Sequence, residues 1–455
     1  LTAGYTPLIV RAAERPKGIE KGGMRRRDSQ VSERKPLSAT ASPFRAAESA
    51  AAMAARPRPV DPARGTNQVG IRLYNERLVL SLIRSEGMLP KAEIARRTGL
   101  SAQTISVIMR QLEADGLVVQ RARRRGRIGQ PSVPYALDPS GAYSLGLKIG
   151  RRSSDIVLLD LLGTVIRSRH EAGSYPTPAG VRDFVSRGVA DLTVNMQPVE
   201  IARIAGLGIA APFELWNWEE QIGAPHEVLD QWRTFDLKEA VAGICPWPVV
   251  FCNDATAATA AEMFLGAGAR LLDFIYFFVG SFIGGGVVLN GHLHVGRTGN
   301  AGAFGSMPVA PLSGGPVQPL IRSASIYLLA HMLTESGRDS SVLWRTPHDW
   351  GDVGPALDVW IEQVAEGIAS AAIAAIAVVD APHVVIDGAF PPAVRSRIVE
   401  RVAAIHAAFD RRGLSPVAFH EGSIGTGARA IGAASLPLMS NFALDPGVLF
   451  KDNVA

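Results

Sequence analysis

Gln103, Thr104, Ser106 and Arg110 carry the donors and acceptors that read base edges in a DNA major groove or grip phosphate oxygens. They share one side of a segment whose other side holds Ile105, Ile108, Met109 and Leu112, at the i, i+3, i+4, i+7 spacing of a buried helical face. Ser101 precedes this segment, a hydroxyl residue suited to cap the free N–H groups of a helix start, and joins the candidate contacts. Shortly behind it, Arg121, Arg123, Arg124, Arg125 and Arg127 form a cluster of guanidinium groups suited to a phosphate backbone. The chemistry these residues offer is recognition of double-stranded DNA.

Such side chains need a frame, and the flanking sequence supplies one. An amphipathic segment ends at Arg84-Ser-Glu-Gly87, a second runs from Lys91 to Thr98, and Gly99-Leu100 makes the turn into the segment capped by Ser101. Leu117 to Gln120 reads as a short strand and Tyr135 to Leu137 as its return partner, with the arginines in the hairpin between them. Helix-turn-helix spacing alone is a weak signal, because any three short helices imitate it. Three helices followed in order by a basic hairpin predict a winged helix-turn-helix.

Charge follows the same division. Lys and Arg outnumber Asp and Glu thirteen to six before Thr66 and twelve to six from Thr66 to Ser140, whereas the remainder holds 22 against 30. Positive charge sits where a polyanion would bind, so the acidic remainder has another task. Residues 1–65, rich in Ala, Arg, Pro and Ser without periodicity, are expected to be disordered, and Glu14, Glu20, Asp28 and Glu33 argue against a transit peptide. Two cysteines, Cys245 and Cys252, exclude a disulfide framework. The apolar run from Ile368 to Val379 falls short of a bilayer span, and the reading is a cytoplasmic protein without a membrane segment.

From Tyr143 the pattern becomes apolar runs at hairpin spacing: Tyr143 to Ile149, Ile156 to Leu162, Val165-Ile166, a helical stretch near Val181 to Met196, and Ile204 to Ile209. A second copy begins at Asp273 with Phe274 to Val279, a turn from Gly280 to Gly286, Gly286 to Leu289 and the hairpin signal Asn290-Gly291. The duplication predicts an α/β chain in which a winged helix-turn-helix is followed by a two-lobed actin-like ATPase or sugar-kinase (ribonuclease H-like) body. The expected divisions are 1–65, 66–140 and 141–455, with a lobe boundary near residue 265.

From about Gly65 onward the chain resembles the ROK family (repressors, open reading frames and kinases), specifically its transcriptional regulators of the xylose or N-acetylglucosamine repressor type. The matching segments are Asn67-Gln68 with Arg72 and Asn75, Ala92 to Ala95, Thr98 to Ser101, Gly129-Gln-Pro131, Asn253-Asp254 through Glu262, Gly284 to Gly291, and Gly427 to Ala434. In the family's kinases the position of Asp254 holds the general base toward a sugar hydroxyl. The resemblance therefore implies that Asn253 and Asp254 bind an effector, with helix capping as the plainer role for the pair.

Where the sequence departs from the family, it departs in the phosphate-handling parts. Lys148-Ile-Gly150-Arg151-Arg152-Ser153 stands where the kinases have an acidic, glycine-rich turn, Phe282 intrudes in the second turn, and Ile386-Asp-Gly388-Ala389 replaces a glycine-rich stretch near the adenosine site. Phosphoryl transfer depends on positioned phosphates and metal, so no catalytic residue is assigned and the chain is not expected to be an enzyme. The Glu and His of the family's sugar-binding element are missing from Gly302 to Ser306, and its zinc-binding thiolates from Ala310 to Pro319, so no metal and no cofactor are expected. Trp216, Trp218 and Trp232 offer a stacking wall for a sugar ring, with ordinary core packing expected of at least one of the three. His292 and His294 are read as solvent-facing, although their i, i+2 spacing on a strand would let them chelate a metal. The expected function is a repressor of carbohydrate genes, homodimeric or homotetrameric, with a DNA operator and a sugar or polyol effector as partners. Its rivals are a carbohydrate kinase with an accessory DNA-binding head and a body kept only for assembly.

Overall fold

The computed structural model describes residues 68–122, 133–213, 224–310 and 314–444. The head comprises α1 (Gln68–Glu86), β1 (Leu89–Pro90), α2 (Lys91–Thr98), α3 (Ala102–Ala114), β2 (Val118–Gln120) and β3 (Pro134–Leu137). Gly99 takes a left-handed conformation, φ 71°, and donates its N–H to the Ala95 carbonyl, which stops α2 where a Cβ would be strained. Ser101 then caps α3 by accepting from the Thr104 N–H. The sheet order is β1-β3-β2, with Leu89 opposite Tyr135. A two-residue strand such as β1 has no periodicity to betray it, and the sequence gives no sign of it.

Two five-stranded sheets build the body. The first contains β4 (Tyr143–Ile149), β5 (Ser153–Asp160), β6 (Val165–Ala172), β7 (Ile204–Ala211) and β8 (Val249–Asn253), in the order β6-β5-β4-β7-β8. Helix α4 (Pro178–Thr193) covers one face, and α5 (Asp254–Leu265) leaves directly from the end of β8. The second sheet contains β9 (Phe274–Val279), β10 (Ile283–Leu289) and β11 (His292–His294). Beyond β12 (Pro308–Val309) and β13 (Gln318–Pro319), which pair with each other, α6 (Ala356–Val379) leads to β14 (His383–Gly388). Helix α7 (Pro392–Ala408), β15 (Ala418–Glu421) and α8 (Ala428–Phe442) complete the described chain. The second order is β11-β10-β9-β14-β15, so both sheets repeat one pattern of two antiparallel and two parallel pairings.

Glycines 284 to 286, expected in a turn, lie in β10 opposite Phe278, Phe277 and Tyr276. Their smallness serves packing: a Cβ on Gly285 would overlap the Tyr276 carbonyl, and one on Gly286 would overlap Thr259. Helix α6 is long and apolar enough to cross a membrane, but Trp360, Val364 and Ile368 on it are buried in the second lobe's core with Phe277, Leu329 and Phe390. Trp232 is also a core residue, fully buried against Phe235 with its indole N–H on the Pro176 carbonyl, and forms no stacking wall. Trp216 and Trp218 fall outside the described residues.

Helix α8 crosses back over the expected boundary at 265 and packs on β4, β7 and α5 of the first lobe. The approach is so close that a Cβ on Gly208 would overlap the Ala433 carbonyl and one on Gly432 the Ala257 carbonyl. Head and body share this region. Val79, Leu80 and Ile83 of α1, Val157 and Leu159 of β5, and Ala430, Ala434 and Leu438 of α8 belong to one buried cluster. Arg84 fastens it by donating to the Leu161 carbonyl at 2.8 Å and stacking 4.3 Å from the Phe264 ring, and burial lowers its pKa to about 10.

Candidate functional site

Two surfaces carry the candidate chemistry. On α3, Gln103 and Arg110 are exposed on the face opposite Ile105, Ile108, Met109 and Leu112. Thr104 and Ser106 are only half exposed and their hydroxyls are partly engaged within the helix: Thr104 Oγ1 lies 2.8 Å from Ser101 Oγ, and Ser106 Oγ donates to the Ala102 carbonyl at 2.8 Å. Ser101 itself is engaged as the cap. Val107, which the sequence reading passed over, is 58% exposed on this face and offers an apolar contact of the kind a thymine methyl takes. Arg121 is exposed at the end of β2, whereas Arg123, Arg124, Arg125 and Arg127 lie outside the described residues.

The second surface lies between the lobes, where the β4–β5 turn, the β9–β10 turn and the first residues of α5 and α8 meet. Asn253 caps α5 by accepting from the Ala255 N–H at 3.0 Å. The plainer capping role thus falls to Asn253, and the Asp254 carboxylate, 16% exposed, is left to face Arg429 with Nη1 at 3.5 Å. Arg151, buried at its guanidinium, stacks 4.3 Å above the Phe282 ring, a contact that joins the first turn of one lobe to the first turn of the other. Its pKa is lowered to about 10 by burial.

Lys148 stands where the family's acidic residue is expected. Its ammonium donates to the Ser153 carbonyl at 3.1 Å, Ser153 Oγ at 2.6 Å and Asp155 at 2.8 Å, and burial lowers its pKa to about 8. Burial pushes the Asp155 carboxyl up, but Lys148 and His170 outweigh it and hold the group below its ordinary range. Asp387, fully buried at the end of β14, accepts the Gly425 N–H at 2.7 Å and the Gly388 N–H at 2.9 Å, and so fixes the loop that enters α8. The segment from Gly302 to Ser306 turns its one large side chain, Phe304, into the core, 4.8 Å from Phe277. His292 and His294 are both exposed on edge strand β11. No group of three or more metal-ligating side chains occurs among the described residues.

Residues 72–119 match the winged helix-turn-helix DNA-binding family, and residues 144–318 match the ROK family. The chain carries a ROK domain behind a winged helix-turn-helix. The xylose repressor of Bacillus spizizenii is 26% identical over 243 residues, which cover 53% of this chain and 62% of that repressor, so the chain spans about three fifths of its length. A solved ROK family transcriptional regulator, a homologue of the Escherichia coli MLC protein, superposes with a TM-score of 0.58 over 84% of this chain and 99% of its own at 18% identity. A ROK family glucokinase from Streptomyces griseus, solved with glucose and AMPPNP, matches at a TM-score of 0.50 and 21% identity over 65% of this chain and 99% of its own. Both structures establish the fold. The ROK domain thus occurs in regulators and in sugar kinases, and the choice between them rests on the side chains of this one.

Two residues central to the cleft, Arg429 and Phe282, escaped a functional reading from sequence. Phe282 was visible only as an intrusion in a glycine turn. Arg429 lies 175 positions beyond Asp254 on a helix that reads as ordinary packing, and no spacing rule joins the two.

Proposed function

We propose that the protein is a cytoplasmic transcriptional repressor of carbohydrate-related genes, acting as a homodimer or homotetramer, with residues 66–140 on the operator and residues 141–455 receiving a sugar or polyol effector at Asn253 and Asp254. The observation that carries this reading is the course of α8. Its first turn faces Asp254 through Arg429, and its flank carries Ala430, Ala434 and Leu438 into the cluster that seats α1 of the head. A ligand that alters the Asp254–Arg429 pairing acts on the same helix that holds the DNA-binding element. Coupling of this kind requires different ligand affinity in the two states. Two heads are needed to cover a palindromic site with useful affinity.

The test is selection of binding sites from random DNA with the full chain, followed by release with a sugar and polyol panel. The expected product is an inverted repeat. Gln103→Ala should relax one base position at a cost of about 1–3 kcal/mol, and Asp254→Asn should silence effector release while leaving operator affinity intact. Recovery of no preferred sequence, with binding unchanged in Gln103→Ala and Arg110→Ala, would sink the reading.

The same geometry speaks against phosphoryl transfer. Arg151 stacks on Phe282 where the two turns meet, and the Gly150 and Gly280 N–H groups are bonded to the Ser153 and Phe282 carbonyls of their own turns. Incubation with ATP and hexoses should yield no sugar phosphate. Turnover abolished by Asp254→Asn would make the chain a kinase.

A further inference from the structure

We infer that Val107 reads the 5-methyl group of a thymine in each operator half-site, which makes it a specificity-determining residue beside Gln103. This rests on the operator reading above and adds to it the chemistry of one base.

Val107 has no part in holding the head together. The buried face of α3 is Ile105, Ile108, Met109 and Leu112, and Val107, 58% exposed, lies outside it. Valine is also a weaker helix former than alanine or leucine, because its branched Cβ loses freedom against the preceding turn, so helix propensity gives no reason for it here. Exposure alone carries nothing. Val194 and Val378 are exposed as well, and single apolar residues are common on protein surfaces. Its neighbours set Val107 apart: it stands four residues after Gln103 and three before Arg110, both exposed, so the three side chains project from one face with the apolar one in the middle. All three lie within residues 72–119, the segment that matches the winged helix-turn-helix DNA-binding family.

The two ends of α3 differ in charge, and the difference orients it. Its C-terminal end is acidic, with Glu113 accepting from Gln120 Nε2 and Asp115 from Gln111 Nε2, each at 2.8 Å, and carboxylates repel a phosphate backbone. Its N-terminal end, capped by Ser101, carries the partial positive charge of a helix start. The stretch from Ser101 to Arg110 is therefore the part that enters the groove, which puts Val107 against base edges.

An apolar branched side chain in a major groove has one kind of partner. Adenine, guanine and cytosine show donors and acceptors on that edge, and thymine alone of the four adds a methyl group. Val107 against the amino group of adenine or cytosine would strip water from a donor and return no hydrogen bond, whereas against the thymine methyl two apolar surfaces leave water together. Discrimination thus combines a favourable contact with one base and a penalty with the others. Because the branched side chain already holds one rotamer in a helix, little freedom is lost on contact. At about 1.5 Å of rise per residue and about 3.4 Å per base step, the four residues from Gln103 to Val107 correspond to roughly two base pairs.

The experiment starts from the site that the full chain selects out of random DNA. Each thymine of a half-site is replaced singly by deoxyuridine, which keeps the pairing and deletes only the methyl, and affinity is read by fluorescence anisotropy at fixed salt. In the parent, one thymine per half-site, within about two base pairs of the position that Gln103→Ala relaxes, should lose about threefold to fivefold in affinity, the worth of one methyl group. In Val107→Ala the same replacement should leave affinity unchanged, while Gln103→Ala keeps the full methyl effect. Cytosine at that position should weaken the parent, and 5-methylcytosine should recover the share that belongs to the methyl, which separates methyl contact from readout of the remaining edge. The melting temperature of free Val107→Ala should equal that of the parent, which assigns its loss to recognition and not to folding. A site bound tightly by the parent yet indifferent to the methyl, or a methyl effect of the same size in Val107→Ala, would overturn the inference and leave the regulator reading standing. Selection of no preferred sequence would end both.

Discussion

The two lobes share one strand order and differ in what their first turns and their glycines do. In the first lobe, Lys148 near the end of β4 is buried and Arg151 in the turn that follows is half-buried, and Gly146 and Gly208 of its sheet admit the backbone of α8, the helix that also seats the head. In the second lobe, the turn after β9 offers Phe282 as a stacking partner, and the sheet is closed by the aromatic and aliphatic cluster around α6. One duplicated frame has become a charged, tightly coupled half and an apolar half that braces it. The lesson is that a repeated topology fixes where turns meet, while side-chain substitution decides which half communicates with a neighbouring domain.

The sharpest break of that comparison is steric. Gly208→Ala should force Ala433 and α8 off the first sheet, destabilise the protein by about 3 kcal/mol or more, and loosen the head, read as faster proteolysis of α1. The second-lobe counterpart Gly305→Ala, whose Cβ would stand 2.5 Å from the Ile283 carbonyl, should lower the melting temperature without that loosening. Equal loosening in both variants would show that head coupling is not a property of the first lobe.

A milder change acts on the joint alone. Arg84→Ala removes the bond to the Leu161 carbonyl and the stack on Phe264, at a cost of about 2 kcal/mol for a largely buried charged donor. Hydrogen exchange in α1 should accelerate while exchange in β9 and β14 stays as in the parent. Acceleration in the second lobe would mean that Arg84 supports the whole body.

The smallest effect is a contrast in pH response between the sheet edges. His170 on β6 has its pKa raised chiefly by its hydrogen bond to Asp155, so the stability it adds is present below about 6.5 and is lost as pH rises through its folded value. His420 on β15 has its pKa lowered by burial and by neighbouring His383, so the folded state binds the proton less well and stability falls as pH drops below about 6.5. Between mildly acidic and mildly alkaline buffer, local exchange corrected for intrinsic rates should therefore slow at β5–β6 and quicken at β14–β15 as pH is lowered. Parallel responses at the two edges would remove this difference between the lobes.

Elements that obey a period or a turn rule are legible in the residues alone. The bounds of α2, the Ser101 cap, β4 and β9 followed from hydrophobic spacing and from capping and turn residues, and the Asn290-Gly291 hairpin appears with φ of 53° and 73° at its two residues. The same spacing places Gln103 and Arg110 outward, since one helical face fixes the other. Thr104 and Ser106 lie on the same side with hydroxyls bonded to Ser101 Oγ and the Ala102 carbonyl, and Trp232 takes the packing role expected of at least one tryptophan, its indole N–H on a carbonyl from a distant segment. The return of α8 to the first lobe, the meeting of Arg429 with Asp254, the stack of Arg151 on Phe282 and the core that α1 shares with β5 and α8 emerge in the folded chain. The physical reason is range. Capping, periodicity and turn strain act over a few residues and leave their mark on local sequence, whereas ion pairs, cation–π stacks and glycine-permitted backbone contacts join segments far apart in the chain, and no local pattern records which segment will arrive.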